Sequence, residues 1–278
     1  MKVIVESGAT KSDWRLISPD GKQCRRVLLP GINVSTASME HNLDTICKGM
    51  QEFGGESLDG IYFYTAGIVI PEVKDLIISS IRKQADVPEI EICTDLVAAA
   101  RAVCGRQSGI VAILGTGSNT CFYDGSTVSQ KVRSGGYIIG DEGGGAVLGK
   151  LFLADFIKGL VPSGMAEEFA SSFDASYENI VAKVYRSEAP AGFLGSLAPF
   201  ILSHYSEPYA KSLVDGNFRA FIERALKRYD TDTYPVGVVG GFGWACKDIF
   251  TALCEEAGVR VGTFLPEPVE GLIKYHAD

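Results

Sequence analysis

Histidine is scarce in this chain, with three in 278 residues: His41, His204 and His276. None stands beside a glycine-rich turn, so a Ser-His-Asp hydrolase and a histidine-ligated metal centre are both poor fits. Paired cysteines are missing too. The seven cysteines (24, 47, 93, 104, 121, 246 and 254) are odd in number, and no two are spaced Cys-x-x-Cys. That pattern argues against a disulfide framework and a zinc ribbon. Cys93 and Cys121 fall in apolar strand-like runs, where a reduced thiol behaves as a small hydrophobe. No unbroken apolar stretch approaches the ~18 residues of a membrane span. The opening Met-Lys-Val-Ile-Val-Glu is too short for a signal-peptide core. The cytoplasm is therefore the expected compartment, with no membrane partner. Positive charge is in deficit: 26 Lys and Arg against 34 Asp and Glu give a net charge of −8 and a pI near 5.0. Such a surface repels phosphate backbones, so nucleic acid is not expected as a partner, and any nucleotide must be held by a local site.

What is present describes a folded chain. A hydrophobic fraction of 46% and a mean hydropathy of +0.13 exclude global disorder. The length suits one large domain or two ordinary ones, and needs no disulfide or metal to fold. Periodicity gives alternating strands and helices. Residues 2–6 form an apolar run that ends in Ser7-Gly8-Ala9-Thr10. A second run lies around 14–18, then comes the turn Pro19-Asp20-Gly21-Lys22, then a third run at 26–29. Asp-Gly between apolar runs is a hairpin signal. A helix over 38–53, a strand over 61–65, a helix over 71–85 and a strand over 89–94 follow. From residue 109 the order recurs: a run to Leu114, the turn Gly115-Thr116-Gly117-Ser118, a run to Tyr123, Asp124-Gly125, and a run over 127–132. Later come a strand at 236–239, a helix through 244–256 and a strand at 260–264. The second half also carries a helical insertion at about 146–230. Hairpins followed by helix crossovers imply mixed sheets covered by helices. Either the chain is a duplication or it joins two unrelated α/β domains. A duplication places a cleft between its halves, lined by the turns after each first strand.

Four turns and one carboxylate are candidates for chemistry. In Glu6-Ser7-Gly8-Ala9-Thr10-Lys11-Ser12, small residues let backbone N–H groups approach an anion, and hydroxyls and Lys11 add donors. An ordinary hairpin explains it equally; it is no Walker loop, since no Gly-Lys-Ser/Thr closes it. Gly115-Thr116-Gly117-Ser118-Asn119 opens like a dinucleotide fingerprint but runs into a strand rather than a helix. Two such turns at equivalent places can grip a triphosphate from both sides. Gly140-Asp141-Glu142-Gly143-Gly144-Gly145 precedes a helical run, so its acids suit a helix N-terminus, Mg²⁺ with its waters, or polyol hydroxyls. Val238-Val239-Gly240-Gly241-Phe242-Gly243 lets a flat ring or ribose lie against backbone, or simply packs a strand on a helix. Asp95 stands where a strand gives way to a helix, either as an N-cap or as a general base.

Together these residues resemble the N-acetylglucosamine kinase and BadF/BadG/BcrA/BcrD ATPase branch of the acetate and sugar kinase, Hsp70 and actin superfamily. The matching segments are ESGATKS (6–12), TDLVAA (94–99), GTGSNT (115–120), GDEGGG (140–145) and VGGFG (239–243), spread over most of the chain in the family's order. The resemblance implies an α/β fold of duplicated ribonuclease-H-like, actin/hexokinase-type domains with mixed sheets and an interdomain cleft. The domains are expected at 1–108 and 109–266, with a C-terminal helix 267–278 returning to the first. The implied activity is ATP-dependent phosphorylation of an amino sugar, N-acetylglucosamine or glucosamine, at the 6-hydroxyl, with ATP and Mg²⁺ as cofactors and a homodimer as an open assembly. Carried over by motif, Gly8, Thr10 and Lys11 belong to the first phosphate loop, with Glu6 toward the metal. Gly115, Thr116, Gly117 and Ser118 form the second loop, and Gly240 and Gly241 flank adenosine. Asn33, Asn119 and Asp141 contact sugar, and Asp95 is the catalytic base. The chain departs from the pattern where Ser7-Gly8-Ala9 replaces three glycines and where Ser134-Gly135-Gly136-Tyr137 replaces a Trp-containing stretch, which leaves the exact sugar open. Two rivals remain: an ATPase that drives electron transfer, whose cluster-binding Cys-Ala-Gly-Thr segment is missing, and a non-catalytic sugar or nucleotide sensor.

Overall fold

A computed structural model describes residues 1–8, 11–32, 38–65 and 71–277. The chain divides into two compact units. The first holds residues 1–107, 124–128 and 267–278; the second holds 108–123 and 129–266.

The first unit is a five-stranded sheet in the order β3-β2-β1-β4-β5, built from β1 (Lys2–Ser7), β2 (Lys11–Ile17), β3 (Gln23–Pro30), β4 (Gly60–Thr65) and β5 (Glu89–Thr94). β1 and β2 are antiparallel, as are β2 and β3, whereas β1, β4 and β5 run parallel. Alternation along β1 decides the layering. Val3 and Val5 join Trp14, Phe63 and Ile77 under helices α1 (Met39–Glu52) and α2 (Pro71–Gln84). Ile4 points the other way, into a cluster with Tyr64, Ala98 and Leu272 from α3 (Asp95–Cys104) and the C-terminal helix α13 (Val269–Ala277). Glu6 shares the alternation of Ile4, and opposite it across the hairpin stands Asp13.

The second unit repeats the plan. Its sheet comprises β6 (Gly109–Leu114), β7 (Ser118–Tyr123), β8 (Val128–Val132), β9 (Val236–Val239) and β10 (Val261–Leu265), in the order β10-β9-β6-β7-β8. Read from the other edge, this is the first sheet's order with each strand replaced by its counterpart. β6 again pairs antiparallel with the next strand and parallel with the fourth. The insertion is helical: α4 (Gly136–Ile139), α5 (Gly145–Ile157), α6 (Ser163–Ser172), α7 (Tyr177–Tyr185), α8 (Pro190–Gly195), α9 (Ala198–Ser203) and α10 (Pro208–Arg224). Between β9 and β10 lie α11 (Gly241–Ala245) and α12 (Lys247–Glu256), where the sequence suggests one helix from 244. The core of this unit is aromatic, with Phe152, Phe169, Phe218, Phe221 and Phe250 all buried.

One buried polar network fastens α13 in the first unit. Arg101 on α3 forks onto Glu91 with two 2.7 Å hydrogen bonds, and also donates to the Tyr64 hydroxyl at 2.8 Å. Tyr64 Oη lies 2.7 Å from His276 Nε2. With the oxygen accepting from Arg101, the hydroxyl proton is available to Nε2 of a neutral imidazole. Burial, with Arg101 beside it, lowers the His276 pKa to about 3.

Candidate functional site

The turn after β6 and the turn before α5 form one hydrogen-bonded body. Gly145 and Ala146 donate their N–H groups, free at a helix start, to the carbonyls of Gly115 (2.9 Å) and Thr116 (2.8 Å). Asn217, buried on α10, clamps the same segment by accepting from Gly143 N at 2.9 Å and donating to Gly144 O at 3.2 Å. Gly117 closes the arrangement. A Cβ there would lie 2.4 Å from Asp141 Oδ2, so any other residue would push that carboxylate aside.

Asp141 is the one non-glycine residue with positive φ among the described residues, at 56°. Its N–H donates to Ser134 O at 3.0 Å and its carbonyl accepts from Gly144 N at 2.9 Å, which hold this strained backbone in place. Burial pushes the Asp141 carboxyl above its ordinary pKa, against the opposing pull of the nearby Ser134 hydroxyl and the N–H groups of Gly136 and Ser118. Glu142 turns elsewhere and pairs with Arg224 at 2.7 Å.

Two cavities open on this body. A polar one of ≈190 Å³ is lined by Asn119, Asp141, Ser134, Arg133, Glu142 and Arg224, among others. Asn119 Oδ1 accepts from Thr120 N at 3.1 Å. The second cavity, ≈430 Å³, is lined by Gly115, Thr116, Gly145 and Gly241 and closed by the apolar side chains of Leu202 and Phe242. The 115–119 turn thus lends its first half to one cavity and its second half to the other. Ser118, expected with the phosphate loop, lines the polar cavity; Gly117 faces Asp141 between the two. Gly240 lines neither. Its φ of +127° and a virtual Cβ 2.3 Å from Leu114 O show that it serves the close passage of β9 into α11 beside β6.

In the first unit, Glu6, Gly8, Lys11 and Asp95 are described; Thr10 and Asn33 lie outside the described residues. Ile32, the residue before Asn33, is held by Ser7, whose hydroxyl accepts from Ile32 N (2.7 Å) and donates to Ile32 O (3.1 Å). Lys11 makes a 2.5 Å ion pair with Glu267. Glu6 is half-buried, and burial followed by the charge of Glu267 raises its pKa to about 7; Asp13 and Asp95 add smaller pushes. Asp13, which the sequence reading did not single out, is compensated: Arg15 and Arg26 hold its carboxylate well below the usual range against the cost of burial. A charged Asp-x-Arg on one face of the otherwise buried β2 is the signal that could have found it. Thr94 rather than Asp95 caps α3, accepting from Val97 N, while Asp95 Oδ1 accepts from Leu96 N at 2.8 Å. The described residues hold no group of three metal-ligating side chains. A water-rich Mg²⁺ needs only one or two carboxylates, and Glu6, crowded by the negative charge of Glu267, Asp13 and Asp95, suits such a cation.

No protein-family model matches the chain. The N-acetylmuramic acid/N-acetylglucosamine kinase of Clostridium acetobutylicum is 27% identical over 216 residues, covering 72% of this chain and 69% of that protein. The solved structure of a candidate N-acetylglucosamine kinase from Porphyromonas gingivalis superposes with a TM-score of 0.93 at 34% identity, over 100% of this chain and 99% of that one. A ROK family glucokinase from Streptomyces griseus, solved with glucose and AMPPNP, shares the fold at a TM-score of 0.60 and 13% identity, over 98% of this chain and 97% of that one. No helix of the described residues is long and apolar enough to cross a membrane.

Proposed function

The chain belongs to the N-acetylglucosamine kinase family, with the fold of the sugar kinases and actin-like ATPases, and from that premise we propose that it transfers the γ-phosphoryl group of ATP to the 6-hydroxyl of an amino sugar of the N-acetylglucosamine or glucosamine type. The observation that carries this reading is the shared turn. Phosphoryl transfer has a loose transition state, so catalysis consists largely of positioning and charge stabilisation. A single rigid turn that walls both a polar, monosaccharide-sized cavity and a larger glycine-lined one is suited to fixing acceptor against donor.

The roles follow from the residues. Asn119 and the anchored carboxylate of Asp141 bind sugar hydroxyls; Asn33 is assigned to the same task. Gly115 and Thr116 offer backbone to phosphate, Gly241 and Phe242 the bed for adenosine. On the first unit Gly8, Thr10 and Lys11 meet phosphate, and Glu6 would hold Mg²⁺. Bound Mg²⁺ supplies charge neutralisation on the phosphate oxygens. Asp95 takes the proton of the acceptor hydroxyl, whose oxygen forms the new bond to phosphorus as the bond to the ADP oxygen breaks. The compartment proposed for this reaction is the cytoplasm.

The test is ADP formation from ATP and Mg²⁺ with N-acetylglucosamine, glucosamine, N-acetylmannosamine, glucose or water alone. Stimulation by an amino sugar is expected. An equal rate with and without every sugar would replace this reading with an ATPase, and nucleotide binding without turnover would replace it with a sensor.

A further inference from the structure

Helix α5 is apolar on every side. Of its residues, GAVLGKLFLADFI, only Lys150 and Asp155 are charged, and both are committed within the unit. Lys150 donates to Tyr137 O at 2.7 Å, and Asp155 accepts from Tyr209 Oη at 2.9 Å. A helix with no polar face belongs between two apolar layers. One layer is present, where Ala146, Leu148 and Phe152 enter the aromatic core. On the other side Leu151, Ala154 and Ile157 are exposed.

That bare side lines an apolar groove of ≈350 Å³, to which α7 contributes Val181, Val184 and Tyr185 and α4 contributes Ile138. Helical spacing puts Tyr177 on the same face of α7 as Val181 and Tyr185. Ile138 is 71% exposed, Tyr177 62% and Tyr185 80%. With Leu151, Ile157 and Leu160, also exposed, they present roughly 700 Å² of apolar side chain; a monomer commonly leaves about 300–600 Å² bare in one patch, and a stable interface takes about 800 Å² from each partner.

The charges beside the groove point to the occupant. α7 carries Glu178 in its first turn and Arg186 at its C-cap; both are exposed, and neither makes an ion pair among the described residues. They stand about 12 Å apart along the helix. A two-fold axis across the middle of α7 lays a second α7 antiparallel to the first and sets each Glu178 against Arg186 of the partner subunit. A contact of this kind makes every favourable pair twice. The net charge of −8 on each copy opposes association, but salt screens it beyond about 8 Å.

We propose that the face formed by α4, α5 and α7 docks a second copy of this chain, as a two-fold dimer with the α7 helices antiparallel across the paired grooves.

Sedimentation velocity from nanomolar to hundred-micromolar concentration tests it. The wild type should pass from monomer to dimer over that range. Tyr185→Glu, at a side chain outside the core, should raise the dimer dissociation constant by at least about a hundredfold, because it buries an unpaired charge in each half of the interface. Glu178→Arg and Arg186→Glu should each weaken the dimer by about tenfold. The double variant should return to within about threefold of the wild type, since both pairs re-form with their signs exchanged. A wild type that stays monomeric throughout would overturn the proposal and leave the kinase reading untouched. A dimer indifferent to Tyr185→Glu would overturn it by moving the interface elsewhere. A double variant as weak as the single ones would overturn the antiparallel pairing that selects a second copy. A monomer whose groove takes up the apolar dye anilinonaphthalene sulfonate, with no dimer at any concentration, would give the face to a different occupant and overturn it too.

Discussion

Replacing Gly117 by alanine tests whether the two turns act as one body. The new methyl would lie 2.4 Å from Asp141 Oδ2 and 3.2 Å from its Cγ. Asp141 cannot retreat through its backbone, which is held at φ 56° by hydrogen bonds to Ser134 and Gly144. The carboxylate must rotate instead, away from the polar groups of Ser134, Gly136 and Ser118 that stabilise its charge. A hydrogen bond to a charged group contributes about 1.5–3 kcal/mol, which predicts a loss of about 10- to 150-fold in kcat/KM for the sugar. The ≈430 Å³ cavity is built from other residues, so the KM for ATP should move by less than about threefold. Steady-state kinetics with each substrate varied in turn would measure both. A thermal-unfolding cycle adds a control: Gly117→Ala should destabilise the wild type but cost little in an Asp141→Ala background, where the clash partner is gone. A raised KM for ATP with an unchanged KM for sugar would refute the reasoning, as would equal destabilisation in both backgrounds.

Other outcomes follow from the same physics. Asp95→Asn should lower kcat by roughly 10²-fold or more with ATP affinity nearly unchanged, and undiminished turnover would remove Asp95 from the mechanism. His276 titrates near 6.5 when unfolded but at about 3 when folded, so its contribution to stability is complete above pH 6.5 and lost as pH falls toward 3. That difference amounts to about 5 kcal/mol as an upper figure, and His276→Gln should flatten unfolding free energy across this window; an unchanged slope would contradict a buried neutral imidazole. Glu6 behaves oppositely. Its folded pKa of about 7 lies above the ordinary 4.5, so the native state takes up the proton first and stability declines as pH rises from 4.5 through 7. Glu6→Gln should remove that decline, and a steeper one in the variant would show that the carboxylate is not the crowded group.

The repeated plan of hairpin and crossover was legible because hydrophobic alternation and Asp-Gly turns are local signals. Val3 and Val5 against Ile4, and Asp124-Gly125 after β7, carry it without tertiary information. The two glycine turns stood out for the same reason, since tight backbone approach restricts residue type at the spot itself. Partners distant in sequence did not. Asn217 lies 74 residues from the Gly143 it holds, and Arg224 lies 82 from Glu142. Nothing in the amphipathic run around them distinguishes an asparagine that clamps a loop from one that faces water. The cap of α3 turned on one residue: Thr94 and Asp95 are both good caps, and backbone dihedrals rather than composition place Thr94 at the boundary.

The central claim is transfer of phosphorus to a sugar. Incubation with [γ-³²P]ATP and Mg²⁺, with and without an amino sugar, followed by separation of sugar phosphate from inorganic phosphate, tests it directly. The account predicts label on the sugar at the 6-position, with inorganic phosphate a minor product. Label that appears only as inorganic phosphate, at a rate indifferent to the sugar, would contradict it.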